Sequence, residues 1–219
     1  DDGIEKLIIK NEITGIDAAH LRGEEMRLHL GGVTQVSVKS GTILQDLVDY
    51  SISHGLSGLQ KITGIPGTVG GAVYGNAGAY GQTISDPLTE VSVYDGRQVI
   101  TLSKDQCNFN YRDSGFKQNH FIILEVTFQL EQGDSKTMQE EADKVLEKRL
   151  VKYPKGIKCP GSFFKNIVAD TIPQEILEKI PKELIMYGKL PAGALLERVD
   201  AKGDCLDGIE IASYHANLF

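Results

Sequence analysis

The sequence predicts an α+β fold. Strand-like segments outnumber helical ones, and the two kinds do not alternate as a doubly wound parallel sheet would require. Hairpin signals set strands side by side in the chain. A glycine-dense stretch in the middle belongs to neither kind of element and has too little side-chain area to build a core.

Taken in order, Leu7-Ile8-Ile9 reads as a short strand. Met26–Leu30 and Val33–Val38 alternate apolar and polar residues, and Gly31-Gly32 between them predicts a hairpin. Ile43, Leu44, Leu47, Val48 and Ile52 fall on one helical face, with Gly55 as the stop. Val91–Tyr94 and Val99–Leu102 flank Asp95-Gly96, a second hairpin. Phe121–Leu130 is a long strand with Ile123, Glu125, Thr127 and Gln129 on a mixed second face. Residues 135–152 form an exposed helix whose buried stripe would be Met138, Ala142, Val145, Leu146 and Leu150. Composition shifts after Tyr153-Pro154, where Pro, Gly and Lys concentrate, so two domains are expected, 1–153 and 154–219. Helices near 173–180 and 191–199 and a strand near 208–213 complete the second.

Composition excludes several classes. The chain has 219 residues and a net charge of −7, an acidic balance that argues against nucleic acid as main partner. No apolar stretch reaches the roughly 18 residues of a membrane span, and no signal peptide is visible. Cys107, Cys159 and Cys205 are far apart and form no CxxC, which fits a cytoplasmic protein without a disulfide framework. The five histidines show no metal-ligand spacing; Cys205 and His215 lack the second pair a metal site needs, so no metal is expected.

The glycine run is Gly64-Ile65-Pro66-Gly67-Thr68-Val69-Gly70-Gly71-Ala72, followed by Asn76-Ala77-Gly78-Ala79-Tyr80-Gly81. Such a run offers backbone. Its N–H groups can approach a ligand closely, and successive ones form a concave anion site. The expectation is a wrap around a phosphate-bearing cofactor; a pair of tight turns is the plain alternative. The spacing G-x-x-G-x-x-G-G is not a Rossmann fingerprint, and no Gly-Lys-Ser/Thr makes it a Walker loop.

Three clusters could carry chemistry. Arg112, in Tyr111-Arg112-Asp113-Ser114, could clamp a carboxylate, or form a surface ion pair with Asp113. Ser162, in Pro160-Gly161-Ser162-Phe163-Phe164-Lys165-Asn166, suits a buried hydroxyl packed by two aromatics, or is an ordinary capping serine. The absence of G-x-S-x-G disfavours acyl transfer. Lys144, Lys148, Arg149, Lys152, Lys155 and Lys158 form a basic series that leads into the Ser162 segment. It is either a solvated helix face or a local field that attracts a phosphorylated substrate.

These motifs, together with Ala192-Gly193-Ala194-Leu195-Leu196-Glu197 and in this order, resemble the UDP-N-acetylenolpyruvoylglucosamine reductases, flavoenzymes of bacterial peptidoglycan synthesis. The resemblance covers nearly the whole chain and is to the branch without an extra tyrosine-bearing substrate loop. It implies an FAD-binding domain of the vanillyl-alcohol-oxidase type followed by a smaller α+β substrate-binding domain. It implies FAD as cofactor, held by Gly64, Ile65, Pro66, Gly67, Thr68, Val69, Gly70, Gly71, Ala72, Asn76, Gly78, Ala79, Tyr80 and Gly81, and NADPH as reductant. A hydride would pass through FAD to the enolpyruvyl double bond of a UDP-sugar, with Ser162 giving a proton and Arg112 supporting the charged intermediate. Arg149, Lys152, Lys165, Asn166 and His215 would bind substrate, with Lys152 at its diphosphate. The resemblance further implies a cytoplasmic monomer. It places the family's first FAD domain before Asp1 and a Glu-bearing segment after Phe219, so the chain is expected to be a fragment. A non-catalytic FAD- or sugar-nucleotide-binding module is the alternative.

Overall fold

The computed structural model describes residues 10–19, 32–154 and 161–218. The strands expected at Leu7–Ile9 and Met26–Leu30 lie outside them, as do Lys155 and Lys158. The chain divides into two units, Asp1–Lys148 and Arg149–Phe219.

The first unit is built on one antiparallel sheet. Its strands are β1 (Ile16–Ala19), β2 (Val33–Lys39), β3 (Leu56–Ser57), β6 (Leu88–Tyr94), β7 (Val99–Ser103) and β8 (Ile122–Gln132), ordered β1-β2-β8-β6-β7 with β3 on the end of β8. Period-2 alternation holds along β2, where Thr34, Val36 and Val38 are buried and the residues between them are half-buried. In β8 the buried series Leu130, Phe128, Val126 should continue to Leu124. A register shift between Ser92 and Val93 of β6 breaks the phase, and Ile123 is buried in its place. The Asp95-Gly96 signal is realised: Tyr94 faces Val99, and Asp95 Oδ1 accepts from the Arg97 and Gln98 N–H groups.

Helix α1 (Leu44–Ser53) buries Leu44, Leu47, Val48 and Ile52 of the stripe read from the sequence; Ile43 is instead its N-cap and 49% exposed, and Gly55 follows the C-cap with φ 67°. Helix α2 (Val69–Tyr74) lies within the glycine run and buries Val69 and Val73. After the short helix α3 (Phe116–Asn119), which buries Phe116, comes the long helix α4 (Ser135–Lys152). Its Met138, Ala142 and Val145 are buried, but Leu146 and Leu150 are 40% and 37% exposed, so the expected stripe is shorter than five residues.

The second unit has little regular structure. Two-stranded ribbons pair β9 (Ile167–Val168) with β10 (Lys189–Leu190) and β11 (Cys205–Leu206) with β12 (Ile209–Glu210). Helices α5 (Gln174–Leu177) and α6 (Ala192–Glu197) are shorter than the sequence suggested. The strand expected near 208–213 is the two-residue β12, because Gly208 turns the chain at φ 84° into an exposed ribbon with no core face to extend it.

The two glycines of α2 differ in what they face. A Cβ on Gly70 would lie 2.8 Å from Ser40 Cβ and 3.0 Å from the Ser40 carbonyl oxygen. A Cβ on Gly71 would meet only Thr68 Oγ1, at 3.5 Å. Overpacking of this kind costs about 1–3 kcal/mol. Gly70→Ala is therefore expected to lose about that much stability in denaturant melts, whereas Gly71→Ala, in a helix that favours Ala over Gly, should be neutral or slightly stabilising.

Candidate functional site

The glycine run is largely consumed in holding itself together. The Gly64 N–H donates to Gln45 Oε1 (2.7 Å), Val69 to the Thr42 carbonyl (2.9 Å) and Gly70 to the Ser40 carbonyl (2.8 Å). Thr68 caps α2 by accepting from the Gly71 N–H (3.2 Å). The Ala72, Asn76 and Ala77 N–H groups also bond within the run. This corrects the expectation of a continuous row of N–H groups open to an anion. The Gly67 and Thr68 N–H groups have no partner among the described residues. A Cβ on Gly67 or Gly81 would meet nothing within 4 Å, so bare backbone faces open space at both.

The second part of the run is a ribbon, β4 (Gly78–Ala79) with β5 (Gln82–Thr83). Tyr80 and Gly81 at its tip have φ 50° and 82°, the primed two-residue turn that a hairpin's twist demands. Tyr80 is 45% exposed, and its ring lies 6.0 Å from Lys148 Nζ.

Arg112 belongs to this same surface. Asn110 and Asp113 form a bridge, with Tyr111 and Arg112 at the turn and Arg112 at φ 55°. A left-handed arginine is strained, and its neighbours hold it there. Lys117 Nζ donates to the Arg112 carbonyl (2.6 Å) and pairs with Asp113 (3.4 Å). Asp113 therefore pairs with Lys117, the partner the sequence reading had offered as Arg112. One guanidinium N–H of Arg112 donates to the Gly78 carbonyl (2.6 Å), and the group stacks on Tyr111. Ser114 donates to the Tyr74 carbonyl (2.7 Å) and Asn76 Nδ2 to the Asn110 carbonyl (2.9 Å). Three bonds thus fasten residues 110–114 to 74–78. Asn76 Oδ1 is buried with no partner among the described residues, an acceptor left over in the middle of the run.

A cleft of about 500 Å³ is lined by Ile65, Pro66 and Gly67, by Leu146 of α4 and by Asp49 and Asp143. Two carboxylates repel a phosphate, so the cleft suits an uncharged group. Bare backbone at Gly67 and Gly81, an orphan acceptor at Asn76 and this cleft of mixed polar and apolar lining fit the uncharged portions of a dinucleotide such as FAD.

In the second unit Ser162 is exposed, contrary to the buried hydroxyl expected, and Phe163 and Phe164 are 65% and 48% exposed. The Gly-Ser-Phe-Phe segment is a loop held by its backbone: Asn217, itself buried, takes the Phe164 N–H on its Oδ1 (2.8 Å) and gives its Nδ2 to the Phe164 carbonyl (2.9 Å). Ser162 Oγ lies 3.2 Å from Lys152 Nζ and 3.2 Å from the Tyr153 hydroxyl. Arg149 and Lys152 both flank the Tyr153 ring, at 5.4 and 5.3 Å. Lys165 is exposed. Asn166 Oδ1 accepts from the Ala192 N–H (3.2 Å) at the start of α6.

His215 packs against the glycine of α6. A Cβ on Gly193 would lie 3.1 Å from its Cε1. Burial, then the Lys152 charge, holds the imidazole below its ordinary 6.5. The Asn217 N–H donates to Nδ1 (3.1 Å), so the neutral ring carries its proton on Nε2. Among the described residues no group of three or more His, Cys, Asp or Glu could hold a metal, and no helix is long and apolar enough to cross a membrane.

Comparison with known proteins shows the family. The family described as FAD binding domain matches residues 15–101. A UDP-N-acetylenolpyruvoylglucosamine reductase of Solibacter usitatus is 40% identical over 185 residues, 84% of this chain and 59% of that protein. UDP-N-acetylenolpyruvoylglucosamine reductase 2 of Bacillus cereus is 35% identical, over 87% of this chain and 58% of that protein. The crystal structure of the Thermus caldophilus reductase superposes with a TM-score of 0.67 at 27% identity, covering 83% of this chain and 60% of that one.

This chain is a relative of the UDP-N-acetylenolpyruvoylglucosamine reductases. It spans about three fifths of the length of these relatives. As in the sequence reading, the fold is α+β with an FAD-binding domain. Sequence reasoning missed Lys117, Tyr153 and Asn217. Tyr153 and Lys117 sit beside the motifs already singled out, at residues 111–114 and 149–152. Asn217 follows His215 by two positions and leaves no local signature, because its partner Phe164 is 53 residues away.

Because its folded-state proton affinity is depressed, His215 is protonated more readily in the unfolded chain. Its contribution to stability is full above about pH 6.5 and is lost as pH falls from there toward the folded value. An NMR titration of the imidazole should show this depression. Lys152→Met should raise the midpoint without restoring it to 6.5, since burial is the larger cause.

Proposed function

We propose that the protein acts in the FAD-dependent reduction of UDP-N-acetylglucosamine enolpyruvate to UDP-N-acetylmuramate, with NADPH as reductant, in peptidoglycan synthesis. The observation that carries the reading is the Ser162 hydroxyl, exposed and 3.2 Å from the Lys152 ammonium. A serine hydroxyl is a poor acid alone, and a bonded cation makes it a usable one.

FAD, held by the glycine run, would supply the hydride-transfer chemistry between NADPH and the enolpyruvyl double bond. The protein's own residues supply the rest. Gly67, Thr68 and Asn76 Oδ1 offer the cofactor backbone N–H donors and one buried acceptor. Arg112 spends one N–H on Gly78 and directs its remaining donors at the substrate carboxylate, where negative charge grows during reduction. Ser162 protonates the neighbouring carbon. Lys152 has three N–H donors and gives one to Ser162, so it can also meet the diphosphate, with Arg149 beside it. The reading is of a cytoplasmic monomer acting on a free nucleotide sugar.

Hydride and proton come from different donors, so the two half-reactions separate. In stopped-flow absorbance, the Ser162→Ala holoenzyme should be reduced by NADPH at the wild-type rate. Its reoxidation by the enolpyruvyl substrate should slow at least about a hundredfold, the low end for loss of a general acid. Reoxidation at the wild-type rate would remove Ser162 from the chemistry.

Gly71→Val tests the cofactor surface. A Cβ at Gly71 meets only Thr68 Oγ1, at 3.5 Å, so the variant is expected to fold yet purify with little flavin. Full flavin content would place FAD elsewhere. A wild-type protein that binds nucleotide sugar but carries no flavin would favour the non-catalytic module.

A further inference from the structure

Ser162 Oγ has two neighbours, and the reaction proposed above uses only one of them. Lys152 Nζ and the Tyr153 hydroxyl both lie 3.2 Å away, and both residues belong to the second unit. A serine oxygen has two acceptor lone pairs and one proton. An ammonium can only donate. A phenol is more acidic than an alkyl hydroxyl and is therefore the donor of the Tyr153–Ser162 pair. With both lone pairs occupied, the Ser162 proton has no acceptor in this cluster and is free to turn outward, and Ser162 is an exposed residue. The ring that carries the phenol is fixed by cations, with Arg149 and Lys152 at 5.4 and 5.3 Å from its centroid.

We propose that Tyr153 is a positioning residue for the proton transfer, aiming the Ser162 proton outward and supporting the oxygen once the proton has left. The proposal rests on the reductase reading. As the substrate carbon takes the Ser162 proton, a C–H bond forms and the Ser162 O–H bond breaks. The Ser162 oxygen then takes the Tyr153 phenol proton, and Tyr153 recovers one from water. No oxidant or reductant enters beyond the hydride already delivered. The same geometry explains why a loop serine with little packing can act as an acid: two donors on adjacent residues of one helix end orient it.

Tyr153→Phe keeps the ring and its cation contacts and removes only the hydroxyl. In the holoenzyme it should leave flavin reduction by NADPH unchanged. Single-turnover reoxidation by the enolpyruvyl substrate should slow about tenfold, the worth of one hydrogen bond to a developing charge. The KM for the UDP-sugar should stay unchanged, which a general structural defect would not spare. Ser162→Ala with Tyr153→Phe should be no slower than Ser162→Ala alone, because the two act as a unit. A readout independent of turnover is the Tyr153 Cζ resonance in carbon-13 NMR, which should move in Ser162→Ala. Wild-type reoxidation in Tyr153→Phe, independent multiplication of the two losses, or an unmoved resonance would each overturn the proposal. A wild-type holoenzyme that NADPH reduces but the enolpyruvyl substrate does not reoxidise would overturn the reductase reading and this proposal with it.

Discussion

The bond from the Gly70 N–H to the Ser40 carbonyl is the constraint on which the first unit's functional surface depends. It brings the backbone of α2 against the turn that ends β2, with the Val69 N–H on the Thr42 carbonyl beside it. That approach leaves no room for a Cβ on Gly70. Everything downstream is hung from it. Val69 and Val73 reach the core under the sheet, Thr68 is set as the cap of α2, and Gly67 is left facing outward. Residues 110–114 are then fastened onto 74–78 through Asn76, Gly78 and Tyr74. Glycine in this run therefore has two distinct uses. Gly70 and Gly78 admit close approach of the protein's own chain, while Gly67 and Gly81 expose backbone.

Much of this was legible in the sequence, for physical reasons that differ by element. The α1 stripe from Leu44 to Ile52 and the Asp95-Gly96 hairpin were read correctly, though Ile43 lies outside the helix and is exposed, because a 3.6-residue period and a turn dipeptide are local signals. The phase of β8 was not legible beyond Val126, since a bulge is set by the partner strand β6 and not by β8 itself. Leu146 and Leu150 fit the helical period of α4, yet remain partly exposed; period alone does not say how much of a stripe has something to pack against. The density of the glycine run announced a backbone-built feature. Which of its N–H groups were already committed could not be read, because their acceptors, Ser40 and Thr42, lie some thirty residues earlier in the chain.

The second unit shows the same limit more sharply. Its motifs were visible, but the sequence reading left open whether Phe163 and Phe164 pack a buried Ser162 or Ser162 is an ordinary loop serine. Both rings are exposed, and the loop is held by the amide of Asn217 on the Phe164 backbone. Gly193 and His215 were each noticed alone. Their contact explains both: the ring lies where a side chain on α6 would be, and the resulting burial depresses its basicity. With so few buried side chains, this unit relies on polar pairs that span its length.

The central claim is that the glycine run receives FAD through the backbone groups that the fold leaves open. Amide hydrogen exchange by NMR, with and without FAD, tests it residue by residue. The account predicts that FAD protects the Gly67 and Thr68 amides strongly, while Val69 and Gly70, already bonded to Thr42 and Ser40, change little. Unchanged exchange at Gly67 and Thr68 in a protein saturated with FAD would contradict it.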